Sequence, residues 1–141
     1  MATEKAIPSR KLWRAGWLAA ALATGVNLAI FFIGKLAFEV PFIIPMGGPS
    51  GPLMSMPFII VVVFSIAAAL GATALLILLR KYTSHPLRNF LILSGVVFLI
   101  SFMIPIGLPD TVASSTRLSL ILMHFPTAAI IVGLLSRVRS Q

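Results

Sequence analysis

Charged side chains cut this chain into four long uncharged runs, and the lengths of those runs leave one class of fold open. Residues 15–34, 40–79, 89–109 and 118–136 contain no Lys, Arg, Asp or Glu. Three of the runs are 20, 21 and 19 residues long. Helix of that length, at 1.5 Å per residue, matches a hydrocarbon core roughly 30 Å thick. The second run, at 40 residues, is too long for one span, and its segment 41–57, PFIIPMGGPSGPLMSMP, holds five prolines and three glycines. Proline removes a helical donor and clashes with the preceding turn, so this segment reads as loop. Four helices remain, at about 12–38, 57–79, 87–106 and 117–136. In lipid every backbone N–H and C=O needs an internal partner, which excludes irregular spans. The expectation is an all-α integral membrane protein of one domain, a compact antiparallel four-transmembrane-helix bundle.

Composition agrees. Charged residues make up 10% of the chain and apolar ones 59%, against about 25% charged in soluble domains. The net charge of +8 does not point to nucleic acid, because the basic residues flank apolar runs and form no polar face that could track phosphates. The lipid bilayer is the expected partner. With no cysteine there is no disulfide, thiol redox chemistry or thiolate metal site. Lys5, Arg10, Lys11 and Arg14 ahead of an apolar run, with Ala21-Leu22-Ala23 resembling a small-residue cleavage site, have the outline of a secretory leader. The run continues to Gly34, past the roughly 7–15 residues of a leader core, so a retained first span is expected.

Nine of the eleven Lys and Arg residues fall on one side of these spans: Lys5, Arg10, Lys11, Arg14, Arg80, Lys81, Arg88, Arg137 and Arg139. Only Lys35 and Arg117 fall on the other. The positive-inside rule then predicts cytoplasmic termini and a cytoplasmic 80–89 loop. A cell inner (plasma) membrane location is expected. Trp13, Trp17 and Tyr82 lie at the same boundary, where amphipathic rings prefer to sit.

The residues with chemical possibilities are few. On the first helix Gly16, Ala20, Ala23, Asn27 and Gly34 share one stripe, and small side chains there let helix backbones approach closely. Asn27 in mid-span serves either as hydrogen-bonding glue or as a ligand contact. Ser65, Ala68, Ala69, Gly71, Ala72 and Thr73 make the second helix small as well, and Ser94 and Ser101 align on the third above Pro105. Small inner faces on all four helices predict tight packing with no wide pore.

His124 is an ionisable group inside a span, which is a functional-site hypothesis by default. A charge at mid-span costs about 2.5–3.5 kcal/mol, so a neutral, inward-facing imidazole is expected. A serine or a backbone carbonyl could partner it, and the first expectation is Asn27: counted from the ends of their helices at 1.5 Å per residue, the two differ in height by roughly 6 Å. Pro126 would close that offset by tilting the last helix. Arg117, seven residues before His124, faces the same way and completes the candidate ligand-binding set of His124, Asn27 and Arg117. The rim pairs Lys35 with Glu39 and Arg117 with Asp110 are expected as ion pairs of little weight.

Catalytic equipment is not visible. One intramembrane histidine cannot hold a haem that needs two unless the chain dimerises, no carboxylate or histidine cluster supplies three metal ligands, and no nucleophile–base pair can be assembled. Met46, Met54 and Met56 read as interfacial filler ahead of a soft-cation site. Glu4, Glu39 and Asp110 all lie outside the spans, which leaves proton-coupled antiport without a carboxylate carrier. No cofactor, catalytic residue or metal site is therefore expected. The leading expectation is a non-enzymatic accessory or oligomeric membrane subunit, within a homo-oligomer or a larger complex. The alternative is a small-solute transporter or ligand-binding protein that uses the outer half of the bundle around His124 and Asn27.

The basic start, the run RAGWLAAALATGVNLAIFFIG with Asn27 at mid-helix, the Pro/Gly loop, and the closing TRLSLILMHFPTAAIIVGLL together resemble a family of small four-span bacterial membrane proteins. Thr116, Leu120, Met123 and His124 carry the likeness in the last helix. That family is one of unknown function, so the resemblance implies fold and topology and no activity. Pro126 departs from the pattern, which makes a kink beside His124 an expectation for this member alone.

Overall fold

The computed structural model describes residues 8–48 and 50–138. Glu4, Lys5, Pro49 and Arg139, all used above, lie outside the described residues. The elements run α1 (Ser9–Ala37), β1 (Ile43–Pro45), β2 (Leu53–Ser55), α2 (Phe58–Tyr82), α3 (Pro86–Ser101), α4 (Met103–Ile106) and α5 (Ser114–Ser136). Four helical segments, α1, α2, α3 with α4, and α5, are long and apolar enough to cross a membrane. Proline marks three helix starts: Pro8 and Pro57 stand just before α1 and α2, and Pro86 opens α3, where a missing N–H costs nothing.

The third span is not one helix, as the sequence predicts, but two. Pro105 has no N–H to give the carbonyl of Ser101, and the chain turns at Phe102 before resuming as α4. Pro126 has a milder outcome. It sits inside α5, which continues through it unbroken from Ser114 to Ser136.

α1 is the central helix, packed most extensively on α2 and α5. Its buried residues are Leu12, Gly16, Ala19, Ala20, Ala23, Asn27, Phe31 and Gly34, spaced by threes and fours along one face. At Gly16 an added Cβ would overlap the Thr73 hydroxyl of α2, so only glycine permits that approach. Thr73 donates its own proton to the carbonyl of Ala69 (2.8 Å), one turn back, and is satisfied within its helix. Gly16 beside Thr73 and Asn27 beside Ser65 show that α1 and α2 run in opposite directions. At the end of the molecule where the described chain begins and stops, Leu12, Leu76, Phe90 and Leu135 form one apolar cluster, and Arg80 donates to the carbonyl of Val138 (3.3 Å).

At the opposite end the described residues of the 41–57 loop form a short antiparallel hairpin, which corrects the expectation of an all-α chain. Ile43 pairs with Ser55, Ile44 with Met54 and Pro45 with Leu53. Gly47 and Gly48, at φ 83° and 130°, turn its tip in backbone regions closed to most side chains. The base of the hairpin is anchored in the molecule: Phe42, Val40 and Met56 are buried with Phe31, Val61 and Met123. Phe42 reaches this position through a left-handed backbone (φ 45°), and its ring lies 4.5 Å from that of Phe31 between centroids. A Cβ on Gly34 would come within 3.2 Å of the same ring, so that glycine makes room for the loop and not for another helix.

The Lys35–Glu39 pair is absent for a related reason. α1 ends at Ala37 and Glu39 is already left-handed (φ 52°), so the two residues no longer share a helical face. Lys35 lies 6.0 Å over the Phe31 ring instead.

Candidate functional site

α3 is the peripheral helix, with Phe90 its only buried residue. At the hairpin end it meets α5 through rings: Phe98 and Phe102 lie 5.4 Å and 5.6 Å from Phe125 between centroids, and Phe102 lies 5.7 Å from His124. Further along, small side chains face one another and do not fill the space between the helices. A lateral cleft of about 420 Å³ results, walled by Ala67, Ala68, Gly71, Ala72 and Leu75 of α2, Ser94, Val97, Phe98 and Ser101 of α3, and His124, Thr127, Ala128, Ile131 and Val132 of α5. That volume falls within the roughly 300–1,000 Å³ of small-molecule sites, as does the make-up of mostly apolar walls with a few polar groups.

The two faces of α2 explain how a tight contact and a cleft coexist. Ser65, Ala69 and Thr73 are buried against α1. Ala68, Gly71 and Ala72, on the adjoining face, line the cleft. The expectation of tight packing on every side is corrected at α3, where the cleft lies.

His124 lines the cleft, but Asn27 is not its partner. The Nδ1 atom of His124 lies 2.7 Å from the carbonyl oxygen of Leu120, one turn back in its own helix. Asn27 donates from Nδ2 to Ser65 Oγ (3.0 Å) and Thr127 Oγ1 (2.7 Å), tying α1 to α2 and α5 at one point. Thr127 lies three residues beyond His124, about 4.5 Å along the axis, which is close to the height difference that separates His124 from Asn27. α5 presents the residue already at the right level, and no tilt is needed. Thr127 both bonds Asn27 and lines the cleft, so it is the link between the two sequence candidates. The Oδ1 atom of Asn27 is buried without a hydrogen-bond partner among the described residues.

Arg117 is separate from this site. Its guanidinium donates to the carbonyl of Pro109 (2.6 Å) and lies 3.4 Å from Asp110 Oδ1, the expected rim pair. It clips the connection ahead of α5 and does not line the cleft. Thr127 and Ser101 are the site residues that the sequence does not single out as ligand contacts. The signal for Thr127 is its position one helical turn from His124.

Three or more His, Cys, Asp or Glu side chains able to share a metal ion do not occur together among the described residues. No curated protein and no solved structure matches the chain. A family model does match, over residues 7–141. The chain belongs to the DUF6069 family, a family of unknown function.

Proposed function

We propose that this is a non-enzymatic multi-pass protein of the cell inner membrane that holds an apolar small molecule in the cleft between α2, α3 and α5. The observation that carries the reading is the cleft itself: about 420 Å³ of mostly apolar space, with His124, Ser101 and Thr127 as localised polar contacts. Binding fits it better than transport, since the described acidic residues, Glu39 and Asp110, lie outside the spans and cannot carry a proton through it. The proposed setting is a compact antiparallel four-helix bundle with both termini cytoplasmic. Arg10, Lys11, Arg14, Arg80, Lys81, Arg88 and Arg137 gather at the end where the described chain begins and stops, which supports that orientation.

Two experiments test the reading. Reporters fused at Met1 and Gln141 are expected to read cytoplasmic and one inserted at Ser50 external; an external terminus would overturn the orientation. A photoactivatable alkane is expected to label cleft residues of α3 and α5 saturably in the wild type and not in Gly71→Leu, whose added side chain occupies the cleft. Equal, non-saturable labelling of cleft positions and of the lipid-exposed Leu99 and Ile100 would remove the binding reading.

A second reading, an accessory subunit in a homo-oligomer or larger membrane complex, draws on the apolar face of α3. Leu91, Ile92, Val96, Val97, Leu99 and Ile100 are all exposed there. In lipid such a face is already satisfied, so exposure alone does not require a partner. The chain has no cysteine, so Ile100→Cys places a single thiol on that face. Disulfide-linked dimers of this variant in membranes would support the second reading.

A further inference from the structure

Three of the four polar side chains of the cleft share a property that narrows what can occupy it. Leu120 offers His124 a carbonyl oxygen, which can only accept, so the proton of that contact is carried on Nδ1. In the neutral ring Nε2 then presents a lone pair. Ser101 gives its hydroxyl proton to the carbonyl of Phe98 (2.6 Å). Thr127 gives its proton to the carbonyl of Met123 (2.7 Å) and accepts from Asn27 (2.7 Å). Three helix carbonyls thus take up the protons of His124, Ser101 and Thr127, and what these groups have left is acceptor capacity. Ser94, the remaining polar group of the lining, has no hydrogen bond among the described residues and can rotate to donate or accept. It stands two helical turns from Ser101, about 10 Å along α3.

The geometry points to a ligand that is itself a hydrogen-bond donor: an alcohol with an extended apolar body, its hydroxyl directed at Nε2 of His124 beside Ser101. This inference rests on the cleft-binding reading and adds the chemical class. An ether or ketone of the same shape would set lone pair against lone pair at His124, leaving both acceptors unpaired in apolar surroundings, which is the costly arrangement. A protonated amine would bring a charge to mid-span, which the bilayer disfavours. A neutral hydroxyl satisfies the site without either penalty.

The test uses a matched pair of probes on the full chain in lipid nanodiscs: a dodecanol bearing a mid-chain diazirine, and its methyl ether. The alcohol is expected to label the cleft segments of α3 and α5 at about tenfold lower concentration than the ether, the effect of one hydrogen bond in an apolar site. His124→Leu should bring the two probes to within about twofold of each other, and Gly71→Leu should abolish cleft labelling by both. Nitrogen-15 NMR of labelled histidine, with His85→Gln to isolate one signal, gives a readout that requires no variant at the site. An unprotonated Nε2 resonance should shift on addition of dodecanol and stay in place with the ether. If the ether labels as well as the alcohol and both are blocked by Gly71→Leu, the donor inference is wrong and cleft binding stands. A protonated Nε2 would likewise overturn the donor inference. If neither probe labels the cleft saturably, the cleft reading fails, and this inference with it.

Discussion

Gly16 and Gly71 lie on two helices that pack against each other, and a methyl group added to each would meet opposite surroundings. At Gly16 it would overlap the hydroxyl of Thr73. At Gly71 it would meet nothing within 4 Å. Small residues in a membrane helix are usually read as contact surface, because van der Waals packing drives helix association where lipid is as apolar as the helices. Here that reading is right for α1 against α2 and wrong one face away. On the α3 side the same residue types keep a space open because large rings at Phe98, Phe102 and Phe125 already occupy the end of the interface. Composition is alike on both sides, and the outcome depends on what stands opposite.

The largest effect is expected at the tight side. Ala23 is fully buried and Gly16 has no room for a Cβ, so Ala23→Leu and Gly16→Leu should each destabilise by about 3 kcal/mol or more, at or beyond the upper end of overpacking effects. Gly25→Leu, on the same helix with nothing within 4 Å of its Cβ, is the control and should be tolerated. Reversible unfolding in mixed micelles measures the difference. Equal losses at Gly16 and Gly25 would mean that α1 has no preferred face.

The intermediate effect belongs to Asn27, where the two sides are joined. Asn27→Leu removes the bonds to Ser65 and Thr127 at once. Interhelical hydrogen bonds in membranes average about 0.6 kcal/mol each, so a loss of roughly 1–2 kcal/mol is expected. A double-mutant cycle of Asn27→Leu with Thr127→Val should show coupling, and one of Asn27→Leu with His124→Leu should show much less. Strong coupling between Asn27 and His124 would restore the direct pair that the structure replaces with Thr127.

Spans and the buried face of α1 were legible in the sequence because each depends on residues within one helix. Uncharged length marks the four apolar segments, and the three-and-four spacing of Gly16, Ala20, Ala23 and Asn27 marks the buried stripe. The cleft was not legible, because it depends on which side chains of three different helices face one another. For His124 the sequence left a backbone carbonyl open beside Asn27 but could not choose between them. A comparison of heights favours residues on other helices, whereas Nδ1 of His124 bonds Leu120 of its own. Once that bond is made, Asn27 is left to the hydroxyl at its own level, Thr127. The hairpin was hidden by its prolines, which argue against a central strand but not against a two-stranded edge pair such as Pro45 with Leu53.

The smallest stability effect, and the sharpest use of the comparison, is expected from Gly71→Ala. Nothing lies within 4 Å of the added methyl, so no contact must move to admit it. Alanine is the better helix former, by up to about 1 kcal/mol in water, and an internal backbone bond network leaves less of that difference to gain in lipid. Gly71→Ala should therefore change stability by no more than about 0.5 kcal/mol, in the stabilising direction if at all. Gly16→Ala, the same chemical change on the neighbouring helix, should cost about 1–3 kcal/mol. Measured side by side, the pair isolates surroundings from residue type, because propensity contributes equally to both. If Gly71→Ala is as costly as Gly16→Ala, then α3 packs down on α2 in the membrane and the cleft is closed there. If the two differ as expected and Gly71→Leu also blocks the photoactivatable alcohol, then the position that tolerates a larger side chain is the position the ligand needs open.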